Sequence, residues 1–276
     1  MRRKLLIAAV VLVGAIALIA LLLPQILKGL GYHPDYDRVE YDLAGHRALI
    51  IATNHDTLGD TGKATGVYGS ELTIAYYEFL DAGMTVDIAS IEGGEIPFEP
   101  ISLRYPLASH ADRRYLNDLA AQNKTQNSLS IDGVDFTDYD IIWMAGGWGA
   151  AYDLGYSEVL GEKISEAHAS DILLGSVCHG ALGFLMATDV DGSPLVEGRT
   201  MTAVTDKQVE ELGIEITPQH PETELRRLGA NFVSNTAWRD FFATYVAVDD
   251  NIVTGQNQNS SGKAAQLLLR MLEERS

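Results

Sequence analysis

Short continuous apolar runs alternate along this chain with longer stretches whose apolar positions recur every three or four residues. "RALIIAT" (47–53), "MTVDIASI" (84–91), "DYDIIWMAGG" (138–147) and "DILLGSV" (171–177) are runs of the first kind. Each reads as a strand, and the first, a continuous apolar run, as a buried one. "GSELTIAYYEFLDAG" (69–83) is of the second kind: Leu72, Ala75, Tyr76 and Phe79 share one helical face, and Gly83 supplies a stop. A helix is expected from the glycines after residue 147 to about Ala169, another from His179, and a closing helix in "SSGKAAQLLLRMLEE" (260–274). "GRTMTAVT" (198–205) and "YVAVDDNIVTG" (245–255) read as later strands, the second as a hairpin around Asp249–Asn251. Such alternation predicts an α/β fold, a doubly wound and mostly parallel sheet with helices on both faces. Residues 92–136 fit it badly. With three prolines, they read as an inserted cap or loop region near a site.

The N-terminal pattern is different. "MRRK" precedes 19 uncharged residues, Leu5 to Leu23. As a helix that run would reach ~28 Å, close to a bilayer's hydrocarbon thickness. Pro24 is expected to break it. The apolar core is longer than that of a cleaved signal peptide, and no polar stretch with a small-x-small site follows. The expectation is therefore an uncleaved signal anchor over residues 1–27, a juxtamembrane linker over 28–45, and a catalytic domain over 46–276. Arg2, Arg3 and Lys4 place the N-terminus inside and the domain outside the cytoplasm.

Charge narrows the partners. The chain has a formal net charge of −18, and without Arg2, Arg3 and Lys4 there remain 17 basic against 38 acidic side chains. Such a surface repels phosphates, so no nucleic-acid partner is expected. No metal-ligand spacing stands out, and no cofactor is expected.

The one cysteine, Cys178, lies just past the strand "DILLGSV", with Ser176 two residues before it and Gly180 two after. Small-x-Cys-x-Gly between a strand and a helix is the placement of a nucleophile elbow. A helix N-terminus there would favour a thiolate, and its amides could hold an oxyanion. A lone cysteine after a buried strand also fits an inert core residue. Gly146, Gly147 and Gly149 end the preceding strand, where they allow close backbone approach to a reacting atom or simply a tight turn.

Together, "GSVCHGALGFL", "AGGWGAAYDL", "GKATGVYGSELTIAYYEFLDAGMTVDIAS", "GRTMTAVTD" and "LRRLGANF…DDNIVTGQN" resemble the ThiJ/PfpI superfamily, the class I glutamine amidotransferase-like fold. The resemblance is strongest to the branch containing heat-shock chaperones and glutathione-independent glyoxalase III proteins, and it runs from about residue 47 to 274. It implies a flavodoxin-like α/β sandwich with a Cys178–His179 dyad. It further implies that Glu71 is a buried glutamate bonded to the thiol, and that Asp206 orients the histidine. Gly146, Gly147, Trp148 and Gly180 would line the substrate and oxyanion region. Two positions depart from the family: Trp148 stands where a histidine is common, and Asn257–Ser260 where Asn-Pro-Ala-Ser is usual.

An activated thiol, a base and an oxyanion site suit attack on small reactive carbonyls, such as conversion of methylglyoxal to lactate. The same groups would serve a thiol amidase or peptidase. A non-enzymatic, membrane-tethered chaperone or redox stress sensor is the third expectation, and a homodimer is compatible with all three.

Overall fold

The computed structural model describes residues 2–275. The strands are β1 (Arg47–Ala52), β2 (Thr85–Ser90), β3 (Leu129–Ser130), β4 (Ile141–Met144), β5 (Leu173–Val177), β6 (Thr200–Met201), β7 (Asn231–Phe232), β8 (Val246–Asp249) and β9 (Ile252–Gly255). Among the described residues seven of them form one sheet in the order β3-β2-β1-β4-β5-β9-β8. All neighbours in it are parallel except β8, which turns back on β9 as the expected hairpin.

Side chains alternate across the sheet as the strand period requires. Ile50, Ile141 and Trp143 face one core, which is covered by α2 (Gly69–Asp81) and, from the chain's far end, the helix Ser261–Glu273. Leu49, Ile51, Ile142 and Met144 face the other core, covered largely by residues 150–196. Burial on both faces explains why the strands read as unbroken apolar runs. The four positions assigned to one face of α2 are all buried.

Several boundaries differ from expectation. The first helix, α1, spans Arg2–Gly29 and does not break at Pro24. Proline removes the N–H that would bond the Ala20 carbonyl, and the Tyr105 hydroxyl donates to that carbonyl instead. Residues 92–136 do more than cap: α3 (His110–Tyr115), α4 (Leu119–Gln126) and β3 lie there, and β3 edges the sheet. The helix expected up to Ala169 is divided into α5 (Ala150–Asp153), a 3-10 turn and α6 (Glu158–Ala169). The segment 198–205 supplies only β6, paired with β7 in a separate sheet. It cannot join the main sheet beside β9, because β8 already occupies that edge. The N–H groups of Thr200 and Thr202 donate instead to the side chains of Asp249 and Thr254.

Residues 30–45 have no regular structure, yet they are strapped to the domain. Tyr32 and Leu43 are buried. The Tyr36 hydroxyl and Arg38 both donate to Glu78, and the Val39 N–H donates to Gln266. The Tyr36 ring lies over Gly262 so closely that a Cβ there would come within 2.1 Å of it. Helix propensity alone favours Gly262→Ala by about 1 kcal/mol. We predict the opposite outcome: the added methyl displaces Tyr36, and limited proteolysis cuts faster within residues 30–45. Unchanged protection would contradict the strap.

Candidate active site

In a sheet of this order, ligands gather beyond the carboxyl ends of the strands, where the strand order reverses. Here that point lies between β1 and β4, with β5 next to β4. The loops leaving β4 and β5 meet there and carry Gly146–Gly149 and Cys178.

Cys178 has φ +59°, the left-handed conformation an elbow imposes. Crowding around it explains the glycines. A Cβ at Gly180 would lie 2.1 Å from the Met144 carbonyl oxygen. One at Gly146 would lie 2.6 Å from the His179 nitrogen and 2.7 Å from the Glu71 carboxylate. Cys178 opens a 3-10 helix, Cys178–Phe184, in place of the expected α-helix. Gly180 and Gly183 both press against Met144, which holds the turn tight.

The sequence-predicted residues divide into those the fold brings together and those it does not. Cys178 Sγ lies 3.4 Å from His179 Nδ1. Glu71, in the first turn of α2, is buried against the sulfur and the Gly146 N–H. Its backbone is pinned from behind, since the Trp143 indole N–H donates to the Glu71 carbonyl at 2.9 Å. The N–H groups of His179 and Gly147 face the sulfur. Gly146 therefore serves the glutamate, not an incoming oxyanion as expected: its N–H faces Glu71 and its carbonyl accepts from Tyr68. Trp148 lines the cavity in front of Cys178.

Asp206 is not brought to the histidine. Its Oδ2 accepts from the Thr223 hydroxyl, while His179 Nε2 is buried with no hydrogen-bond partner. Nor does it cap its own helix α7 (Asp206–Leu212), where Thr205 accepts from the Gln208 N–H.

Burial dominates the electrostatics. It pushes the Glu71 carboxyl up to about 8, against the pull of the bonds to Cys178 and the Gly146 N–H. Burial, then the nearby Glu71 charge, push the thiol well above its ordinary value. The two N–H groups pull the other way but do not overcome this, so the expected thiolate at rest is corrected to a protonated pair. Burial also lowers His179 to about 3, with His220 adding a smaller push. The imidazole is thus neutral.

Cys178 is only 5% exposed but lines a cavity of about 320 Å³. Tyr68, Gln258 and Arg239 line this cavity and carry no signal in the sequence that marks them individually. Asn257–Ser260, the departure from the family pattern, holds the cavity's roof. Asn257 donates to Gln208 and to the Asp240 carbonyl, and Asn259 donates to the Phe241 carbonyl. Among the described residues no group of three His, Cys, Asp or Glu side chains could hold a metal ion.

A cysteine elbow on a parallel sheet, with a buried glutamate behind the sulfur, defines a class of thiol-bearing α/β proteins. Residues 63–273 match the DJ-1/PfpI family, and the chain belongs to it. It is similar to the glutathione-independent glyoxalase hsp3101 of Schizosaccharomyces pombe, 27% identical over 240 residues, covering 82% of this chain and 96% of that protein. It is 28% identical over 233 residues to the glutathione-independent glyoxalase HSP31 of Saccharomyces cerevisiae, covering 81% and 96%. Among solved structures, the Rapid Encystment Protein 24 KDa of Francisella tularensis superposes with a TM-score of 0.76 at 29% identity, covering 82% and 99%. Glyoxalase III of Candida albicans shares the fold with a TM-score of 0.74 at 22% identity, covering 82% and 96%.

The raised Glu71 carboxyl has a stability consequence. Its folded value, about 8, exceeds the ordinary 4.5, so the folded state holds a proton that the unfolded chain releases. Stability from this group is full below pH 4.5 and is lost as pH rises through about 8. Glu71→Gln, which cannot ionise, should gain in unfolding temperature relative to the native chain across that window and level off above it. A difference independent of pH would contradict the assignment.

Proposed function

We propose that this chain is a cysteine-dependent enzyme acting on 2-oxoaldehydes, isomerising them with water to 2-hydroxy acids. The observation that carries the reading is the buried Glu71 carboxyl against the Cys178 sulfur, beside backbone N–H donors. The relatives named as glutathione-independent glyoxalases support it.

The proton carrier follows from magnitude. A carboxyl that holds its proton to about pH 8 is a far stronger base than an imidazole that gives it up near pH 3. Once the pair has given up its first proton, the ionised Glu71 therefore takes the thiol proton, and His179 acts as a neutral neighbour. Sulfur attacks the aldehyde carbon, the carbonyl π bond opens, and the developing oxyanion meets the N–H groups of Gly147 and His179. Glu71 returns its proton to that oxygen. It then removes the hydrogen of the former aldehyde carbon as a proton, giving an enediolate, and delivers it to the adjacent carbon, while the hydroxyl proton on the first carbon passes to the oxygen of the second. The aldehyde carbon is oxidised to a thioester as its neighbour is reduced to an alcohol, so no external oxidant enters. Water releases the 2-hydroxy acid and restores the thiol.

Lactate formation from methylglyoxal by the detergent-solubilised full chain tests this. Cys178→Ala should abolish it; equal turnover in both would overturn the reading. Native turnover should rise with pH through about 8, as the coupled pair gives up its first proton. Glu71→Gln should lose that step and fall by roughly 10²–10⁴-fold.

We further propose that α1, long and apolar enough by length and composition to cross a bilayer, tethers the domain to a membrane. Alkaline extraction of cell membranes should leave the chain in the pellet, and release into the supernatant would contradict the tether.

A further inference from the structure

The cavity before Cys178 is shaped for something larger and more apolar than methylglyoxal. Its roughly 320 Å³ has room for about ten waters at about 30 Å³ each. The five heavy atoms of methylglyoxal would leave much of that unfilled. Ile101, Leu107, Trp148, Leu212, Ile214 and Phe242 supply walls beyond the reacting groups.

Beyond Glu71, Cys178 and His179, each polar side chain that lines the cavity has at least one partner in the protein. The Tyr68 hydroxyl is bonded to that of Tyr32 at 2.7 Å. Gln208 Oε1 accepts from Asn257, and Gln258 Nε2 donates to the Phe241 carbonyl. Arg239 donates to the Glu211 carbonyl, and its guanidinium lies over the Trp238 ring. An alkyl tail needs no polar partner and gains contact with the apolar walls.

The mouth continues the apolar surface. Ile101 is 52% exposed, and the loop that carries it and Leu107 also carries Tyr105, which reaches the anchor helix at Ala20. A path for an apolar molecule from that helix to the sulfur thus runs along a single loop.

Resting on the 2-oxoaldehyde reading above, we propose that the substrates of this chain are 2-oxoaldehydes bearing a straight alkyl chain, seated with the chain in this cavity and the aldehyde at Cys178. The test is turnover by the detergent-solubilised full chain along a series from methylglyoxal to 2-oxooctanal. KM should fall about fourfold with each added methylene until the cavity is full. Leu212→Gln, which places an amide in the wall, should flatten that trend, and Leu212→Met, which keeps the wall apolar, should retain it. A KM that stays flat or rises along the series, with methylglyoxal still converted, overturns this inference and leaves the carbonyl reading standing. A trend that persists in Leu212→Gln overturns it too, because the selectivity would then arise outside the cavity. Failure to convert any member overturns the parent reading and this inference together.

Discussion

The left-handed turn at Cys178 is the constraint on which the rest of the site depends. A side chain other than glycine at φ +59° is strained, and it persists only where its surroundings allow no alternative. Here the surroundings are the end of β4. The Met144 carbonyl closes off any Cβ at Gly180, and Gly146 lies against both the His179 nitrogen and the Glu71 carboxylate. The turn holds the thiol out from β5 toward α2. That single displacement brings the sulfur to the glutamate, to two backbone N–H groups and to the cavity at once.

The same burial decides the chemistry. Near a helix N-terminus a cysteine would be expected to ionise, yet here it opens only a short 3-10 turn and the site is almost dry. Two N–H groups do not offset the loss of solvent, so sulfur and carboxyl both hold their protons more tightly than usual. The result is a coupled pair that gives up its first proton near pH 8 and shares the second. His179 is pushed the other way by the same burial, which leaves the roles of the three groups distinct.

Legibility in the sequence depends on how local each determinant is. The sheet strands can be read because burial on both faces writes an unbroken apolar run, as in Ile50–Ile51 and Ile141–Met144. The elbow can be read because its steric demand falls on residues two positions either side of Cys178. Glu71 comes only with the family resemblance, since a lone carboxylate in a first helical turn looks like an ordinary cap. Asp206 is misplaced by sequence reasoning because its partner, Thr223, lies 17 residues away, and nothing local sets where α7 sits relative to the segment that carries it. The strap at residues 30–45 reads as a linker because its anchors, Glu78 and Gln266, come from two distant helices. The cavity's apolar walls, drawn from four separate segments around residues 101–107, 148, 212–214 and 242, carry no local signature at all.

The central claim is that Glu71 is a neutral acid at rest, facing a protonated thiol. Infrared difference spectroscopy of the native chain against Glu71→Gln tests it most directly. The account predicts a protonated carboxyl stretch at neutral pH that is absent from the variant and disappears from the native spectrum near pH 8. A difference spectrum showing only ionised carboxylate at neutral pH would contradict it.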